Sequence, residues 1–230
     1  MKKKLLIGGC SFSEPKHGHG PWHPWTDQFV KEYKDEWDVT NTSQGSIGNA
    51  IITQNIVDNI LKGDRPDLVI VQWSAIGRAY SHNETDFIGR LLKEKNALQF
   101  APHMGEYISQ DDRAGWVTNM VDTISDNFYQ SSLVSMIGLQ SFLNEKQIPY
   151  IFFWGWCQFN DDLRTKFRYY LDLLYNERWW NPTGSMSSFI QRKYGKKGIM
   201  GGGDFHPNNL GQRHFYEKAV KAMFEDKRLL

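Results

Sequence analysis

Apolar and polar positions along this chain follow two rhythms that take turns. Residues 4–8 carry a short apolar run, Leu5-Leu6-Ile7, closed by Gly8-Gly9, and predict a buried strand. Residues 25–33 predict a helix, with Thr26 as its N-cap. Residues 37–41 predict a short strand. Residues 47–61 place apolar side chains at 47, 51, 52, 56 and 60, a helical spacing, and Gly63-Asp64 and Pro66 stop it. Residues 67–73 contain Leu-Val-Ile-Val, the unbroken apolar run of a central parallel strand. Residues 122–146 predict a long helix with Leu133, Met136, Ile137, Leu139, Phe142 and Leu143 inward, and 149–156 predict a second fully apolar strand. Residues 161–174 predict a helix and 178–200 a loop-rich stretch. Residues 210–224 predict a closing helix with Phe215, Ala219, Ala222 and Met223 on one face.

Strand and helix in alternation predict an α/β fold, a three-layer sandwich whose mainly parallel sheet is flanked by helices. The whole of 1–230 reads as one domain, interrupted by a polar, irregular insertion over 79–115 that is long enough for a lid or binding loop. There is no internal repeat and no low-complexity tract.

Composition narrows the function. Hydrophobic residues are 40% and charged residues 23%, which excludes a wholly disordered chain. No run approaches the roughly eighteen apolar residues of a membrane span. The net charge is +1, so overall electrostatics give no case for a nucleic-acid partner. Met1-Lys2-Lys3-Lys4 before an apolar run ending at Cys10 looks like a lipoprotein signal, but that run is shorter than the 7–15 residues a secretory signal uses. The expectation is a first buried strand and a cytoplasmic chain with reduced Cys10 and Cys157.

In parallel sheets the ligand site lies beyond the carboxyl ends of the strands. Gly9-Cys10-Ser11-Phe12-Ser13 follows the first strand, and a Ser on a Gly-flanked turn exposes its hydroxyl as a nucleophile does. A Ser nucleophile needs a base and the base an orienting group, and Asp204-x-His206 after Gly201-Gly202-Gly203 offers both. His17, His19 and His23 cluster after the nucleophile turn, but without an adjacent acidic or Cys ligand they read as a solvated loop rather than a metal site. Among the nine Trp, Trp73 and Trp156 stand at predicted strand ends, where flat rings can stack on a sugar.

Taken in order, these blocks resemble the SGNH (GDSL-type) hydrolase superfamily. Its Gly-x-Ser-x-Ser block reads Gly9-Cys10-Ser11-Phe12-Ser13 here, with Cys10 where the family has Asp. Its second block, an Asn followed by small residues and Gly, reads Asn41-Thr42-Ser43-Gln44-Gly45-Ser46-Ile47-Gly48-Asn49. Its last block, Asp-x-x-His-Pro, reads Asp204-Phe205-His206-Pro207, with Asp two residues before His instead of three. The resemblance spans the chain and implies Ser11 as nucleophile, His206 as base, Asp204 as its orienting acid and Gly45 as a backbone oxyanion donor. It implies no metal and no cofactor. The third block, usually Gly-x-Asn, reads Gln72-Trp73-Ser74, so the Asn that donates to the oxyanion is missing, and Ser74, Asn49 and Arg78 are the candidates to replace it. The implied activity is hydrolysis of a small-molecule or carbohydrate ester, with an O-acetyl group on a sugar preferred. Acyl transfer on the same fold, or a binding or structural role such as phage proteins of this fold have, are the alternatives.

Overall fold

The computed structural model describes residues 2–15, 23–45, 47–63, 65–76, 110–156, 161–199 and 206–226, with backbone alone for 110–125 and 161. Four strands form one sheet: β1 (Lys3–Gly8), β2 (Trp37–Asn41), β3 (Leu68–Trp73) and β4 (Tyr150–Trp154). All neighbours pair in parallel, in the order β2-β1-β3-β4. From β1 the chain steps one way to β2, then returns to the other side for β3. The order therefore reverses between β1 and β3, the place where such sheets open a crevice at their carboxyl ends.

Helices cover both faces, completing the three-layer α/β architecture. They are α1 (Trp25–Tyr33), α2 (Asn49–Lys62), α3 (Gln110–Glu145), α4 (Asp161–Lys166), α5 (Arg168–Leu174), α6 (Met186–Tyr194), α7 (Asn209–Phe215) and α8 (Lys221–Glu225). Successive strand residues point to opposite faces. Gly8 lies against Ile56 and Ile52 of α2, on the face that its register partner Val71 shares with Phe152. Phe153 points the other way, with ring centroids 5.8 Å from Trp25 and 5.3 Å from Phe215. Every residue of β3 and β4 is buried. Each large aliphatic or aromatic side chain buried in this way contributes about 1.5–3 kcal/mol. On α3, Leu133, Met136, Leu139 and Leu143 are buried, while Ile137 and Phe142 are half-buried against the core.

The elements differ from their sequence expectations where local chemistry overrides the apolar rhythm. Pro24 takes the N-cap position of α1, and the Thr26 hydroxyl instead donates to the Ser13 carbonyl at 3.2 Å. Helix α2 starts at Asn49 rather than at 47. Helix α3 starts at Gln110, so the last six positions of the expected 79–115 insertion are helical, and its residues 79–109 lie outside the described residues. The expected 161–174 helix breaks at Phe167 into α4 and α5. The expected loop 178–200 contains α6, opened by a capping box in which Ser185 and Ser188 exchange side-chain and backbone hydrogen bonds. The closing helix contains a π turn at Tyr216–Val220. One extra residue in that turn rotates the remainder of the helix, so Tyr216, Ala219, Val220 and Met223 are buried and Ala222 is exposed.

Candidate active site

The carboxyl ends of β1 and β3 hold a compact polar layer. After β1 the chain turns tightly, with the Ser13 N–H donating to the Cys10 carbonyl at 2.9 Å. Cys10, Phe12 and Ser13 point into the core, and Ser11 between them is the half-exposed one. Gly9 sits where a Cβ would press on the Ser13 Cβ and on Gln72, so the turn packs directly on β3. The loop after β2 folds onto the same turn. Asn41 donates from Nδ2 to the Ser13 carbonyl at 2.9 Å, and Gln44 N–H donates to the Gly9 carbonyl at 3.1 Å.

His206 arrives from the far end of the chain. Its segment is pinned next to it by Asn208, the N-cap of α7. The Asn208 Oδ1 accepts from Gly211 N–H at 3.1 Å, and its Nδ2 donates to the Lys197 and Ile199 carbonyls at 2.9 and 3.0 Å. Pro207 pairs with Ile199 in an antiparallel bridge. The result is a short approach: Ser11 Oγ lies 2.7 Å from His206 Nε2. The Phe12 ring stands edge-on to the imidazole at 5.0 Å, and half-buried Trp156 lies 6.3 Å from Phe12. Among the described residues the backbone N–H groups of Ser11 and Gly45 have no hydrogen-bond partner. The Glu14 carboxylate lies against the Gly45 α-carbon.

Of the residues considered as replacements for the missing oxyanion Asn, Asn49 and Ser74 are described. Asn49 is buried, accepts from Ser74 N–H at 2.8 Å through Oδ1, and donates to Ser132 Oγ at 2.7 Å through Nδ2. Its amide ties α2 to β3 and α3, and Ser74, buried at the same joint, takes part through its backbone. Trp73 is fully buried with its ring edge-on to Phe152 at 5.1 Å, a core residue with no surface for a ligand. Arg78, Asp204, Cys157, His17 and His19 lie outside the described residues. Cys10 is a free, buried thiol. Among the described residues no group of three or more His, Cys, Asp or Glu is placed to hold a metal ion, and no helix is long and apolar enough to cross a membrane.

Two buried amides went unread in the sequence. Gln72 accepts from the Ser13 hydroxyl at 3.1 Å and donates to the Trp73 carbonyl at 2.7 Å. Gln212 bonds both Trp25 and Phe12. The signal for Gln72 was a polar residue at the end of an otherwise apolar central strand, since a buried amide must be satisfied.

No protein-family model matches the sequence, and no curated protein sequence matches it. Solved structures do match. The chain aligns over 99% of its length and all of TesA, at 14% identity and a TM-score of 0.52. It aligns over 98% of its length and all of the psychrotrophic esterase EstA from a Pseudoalteromonas species, at 12% identity and a TM-score of 0.56. It also covers 57% of the Bacillus subtilis protein YxiM, at 14% identity and a TM-score of 0.53. At these identities the likeness is one of fold: the chain shares the three-layer α/β architecture of these proteins, an esterase among them.

Proposed function

We propose that this chain is a serine ester hydrolase working through Ser11 and His206. The observation that carries the reading is the 2.7 Å approach of Ser11 Oγ to His206 Nε2 at the carboxyl end of the sheet. A hydroxyl that close to an unprotonated ring nitrogen can pass its proton across as it attacks. Ser11 Oγ adds to the ester carbonyl and His206 Nε2 takes its proton. The imidazolium then returns that proton to the departing alkoxide, leaving an acyl-Ser11 ester. Water, deprotonated by His206, attacks this ester and frees the acid and Ser11. Asp204, two residues before His206, is assigned to hold the Nδ1–H. The unpartnered N–H groups of Ser11 and Gly45 are assigned to the oxyanion. With the Asn49 amide engaged by Ser74 and Ser132, a third oxyanion donor is assigned to Ser74 or Arg78, and losing one such donor costs about 10²–10³ in turnover.

The half-buried Trp156 beside Phe12 favours an acyl group carried on a sugar, whose flat face can stack on an indole. The test is hydrolysis of p-nitrophenyl acetate and of an acetylated oligosaccharide, with products analysed with and without an unacetylated sugar acceptor. Release of acetate from both substrates is the expected result. Acetyl groups appearing on the acceptor would replace hydrolysis with transfer, and no turnover of either ester would sink the reading.

A further inference from the structure

We infer that Gln212 is a positioning residue for the Ser11–His206 pair, an inference that rests on the serine-hydrolase reading. Gln212 lies on α7, the helix just after His206, and is 1% exposed. Both ends of its carboxamide are used. Oε1 accepts from the Trp25 backbone N–H at 3.0 Å, and Nε2 donates to the Phe12 carbonyl at 3.2 Å. Phe12 is the residue next to Ser11, and its ring also touches the imidazole. The two reacting side chains come from segments 195 positions apart. Covalent continuity carries each only to its own turn or helix, and the Gln212 amide joins the two across the gap.

The bond does not stand alone. Trp25 Nε1 donates to Ser13 Oγ at 2.8 Å, and Ser13 Oγ donates to Gln72 Oε1 at 3.1 Å. One connected set of hydrogen bonds therefore runs from α7 through the start of α1 to the nucleophile turn and on to β3. A buried amide lacking either partner is costly, so this geometry admits one orientation of Gln212 and one seat for the turn. Rates depend steeply on such seating: a displacement near 1 Å costs about 10²-fold. Gln212 touches neither reacting atom in this arrangement; it acts through Phe12 and the turn.

The test is Gln212→Met, which keeps the side-chain length and removes both hydrogen bonds. On p-nitrophenyl acetate, kcat is expected to fall about 10–100-fold while KM stays within about twofold. A crystal structure of the variant is expected to show Ser11 Oγ and His206 Nε2 moved out of hydrogen-bond range. Wild-type-like kcat in a variant made beside an active wild type overturns the inference. If the wild type shows no Ser11-dependent hydrolysis, the serine-hydrolase reading fails instead, and the crystal structure decides the positioning inference alone. An unchanged Ser11–His206 separation would then overturn it. Should Gln212→Met not fold, Gln212→Glu keeps the acceptor for Trp25 and the shape of the side chain, and carries the same two readouts.

Discussion

Ser11→Ala and His206→Ala are each expected to lower kcat for ester hydrolysis by at least about 10³-fold. The first removes the attacking oxygen and the second the base 2.7 Å away from it. Because the two act as a unit, the double variant is expected to be no slower than either single one, all three resting at the level set by binding and the oxyanion donors. Neither change should disturb the fold. Ser11 and His206 are both partly exposed, and neither side chain belongs to the apolar core. Their melting temperatures should stay within a few degrees of the wild type, so a fall in rate reports chemistry. A double variant far slower than both single ones would show two independent contributions and contradict the pairing.

Gly211→Ala is expected to cost about 3 kcal/mol of stability, by overpacking rather than by lost contact. A Cβ at Gly211 would collide with the Gly198 carbonyl oxygen and press within 2.9 Å of Ile190 Cγ2. The carbonyl cannot swing aside freely, since it already accepts from the Asn208 N–H at 3.1 Å. Helix α7 must therefore move off the Gly195–Gly198 turn, and its N-terminal end carries the segment holding His206. At this chain length the melting temperature should drop by about 6–12 °C, and the surviving folded protein should also lose turnover. Thermal denaturation beside an ester assay at low temperature measures both. A melting temperature within about 1 °C of the wild type would mean that α7 is not held by that contact.

How much of the fold and site was legible in the sequence depended on whether a residue's role shows in its immediate neighbours. Strands β3 and β4 were readable because continuous apolar runs such as Leu-Val-Ile-Val have few other uses. Ser11 and His206 were readable because each sits just outside a strong element, in a setting of Gly or Pro that marks a turn. Helix α6 was not: its buried residues are only Met186, Ser187 and Ile190, and its start is marked by paired Ser instead of the Ser-x-x-Glu of a familiar capping box. The phase of the last helix was lost at the π turn, which leaves no local sequence mark. Asn49 shows why such positions are hard to read, because an Asn near a site has the same letter whether it faces a ligand or pins two helices to a strand. Gln72 and Gln212 show the reverse case, in which the partners of a buried amide come from distant segments and only the folded chain brings them together.

Ser11 as the nucleophile is the centre of the proposed function. Activated serine oxygens attack phosphorus electrophiles as they attack esters. The decisive measurement is mass spectrometry of the protein after exposure to a fluorophosphonate, with peptide mapping of the product. The expected result is one adduct per chain, carried by Ser11, absent in Ser11→Ala and much slowed in His206→Ala. An unmodified Ser11 in folded wild-type protein, or an adduct that forms equally fast without His206, would contradict it.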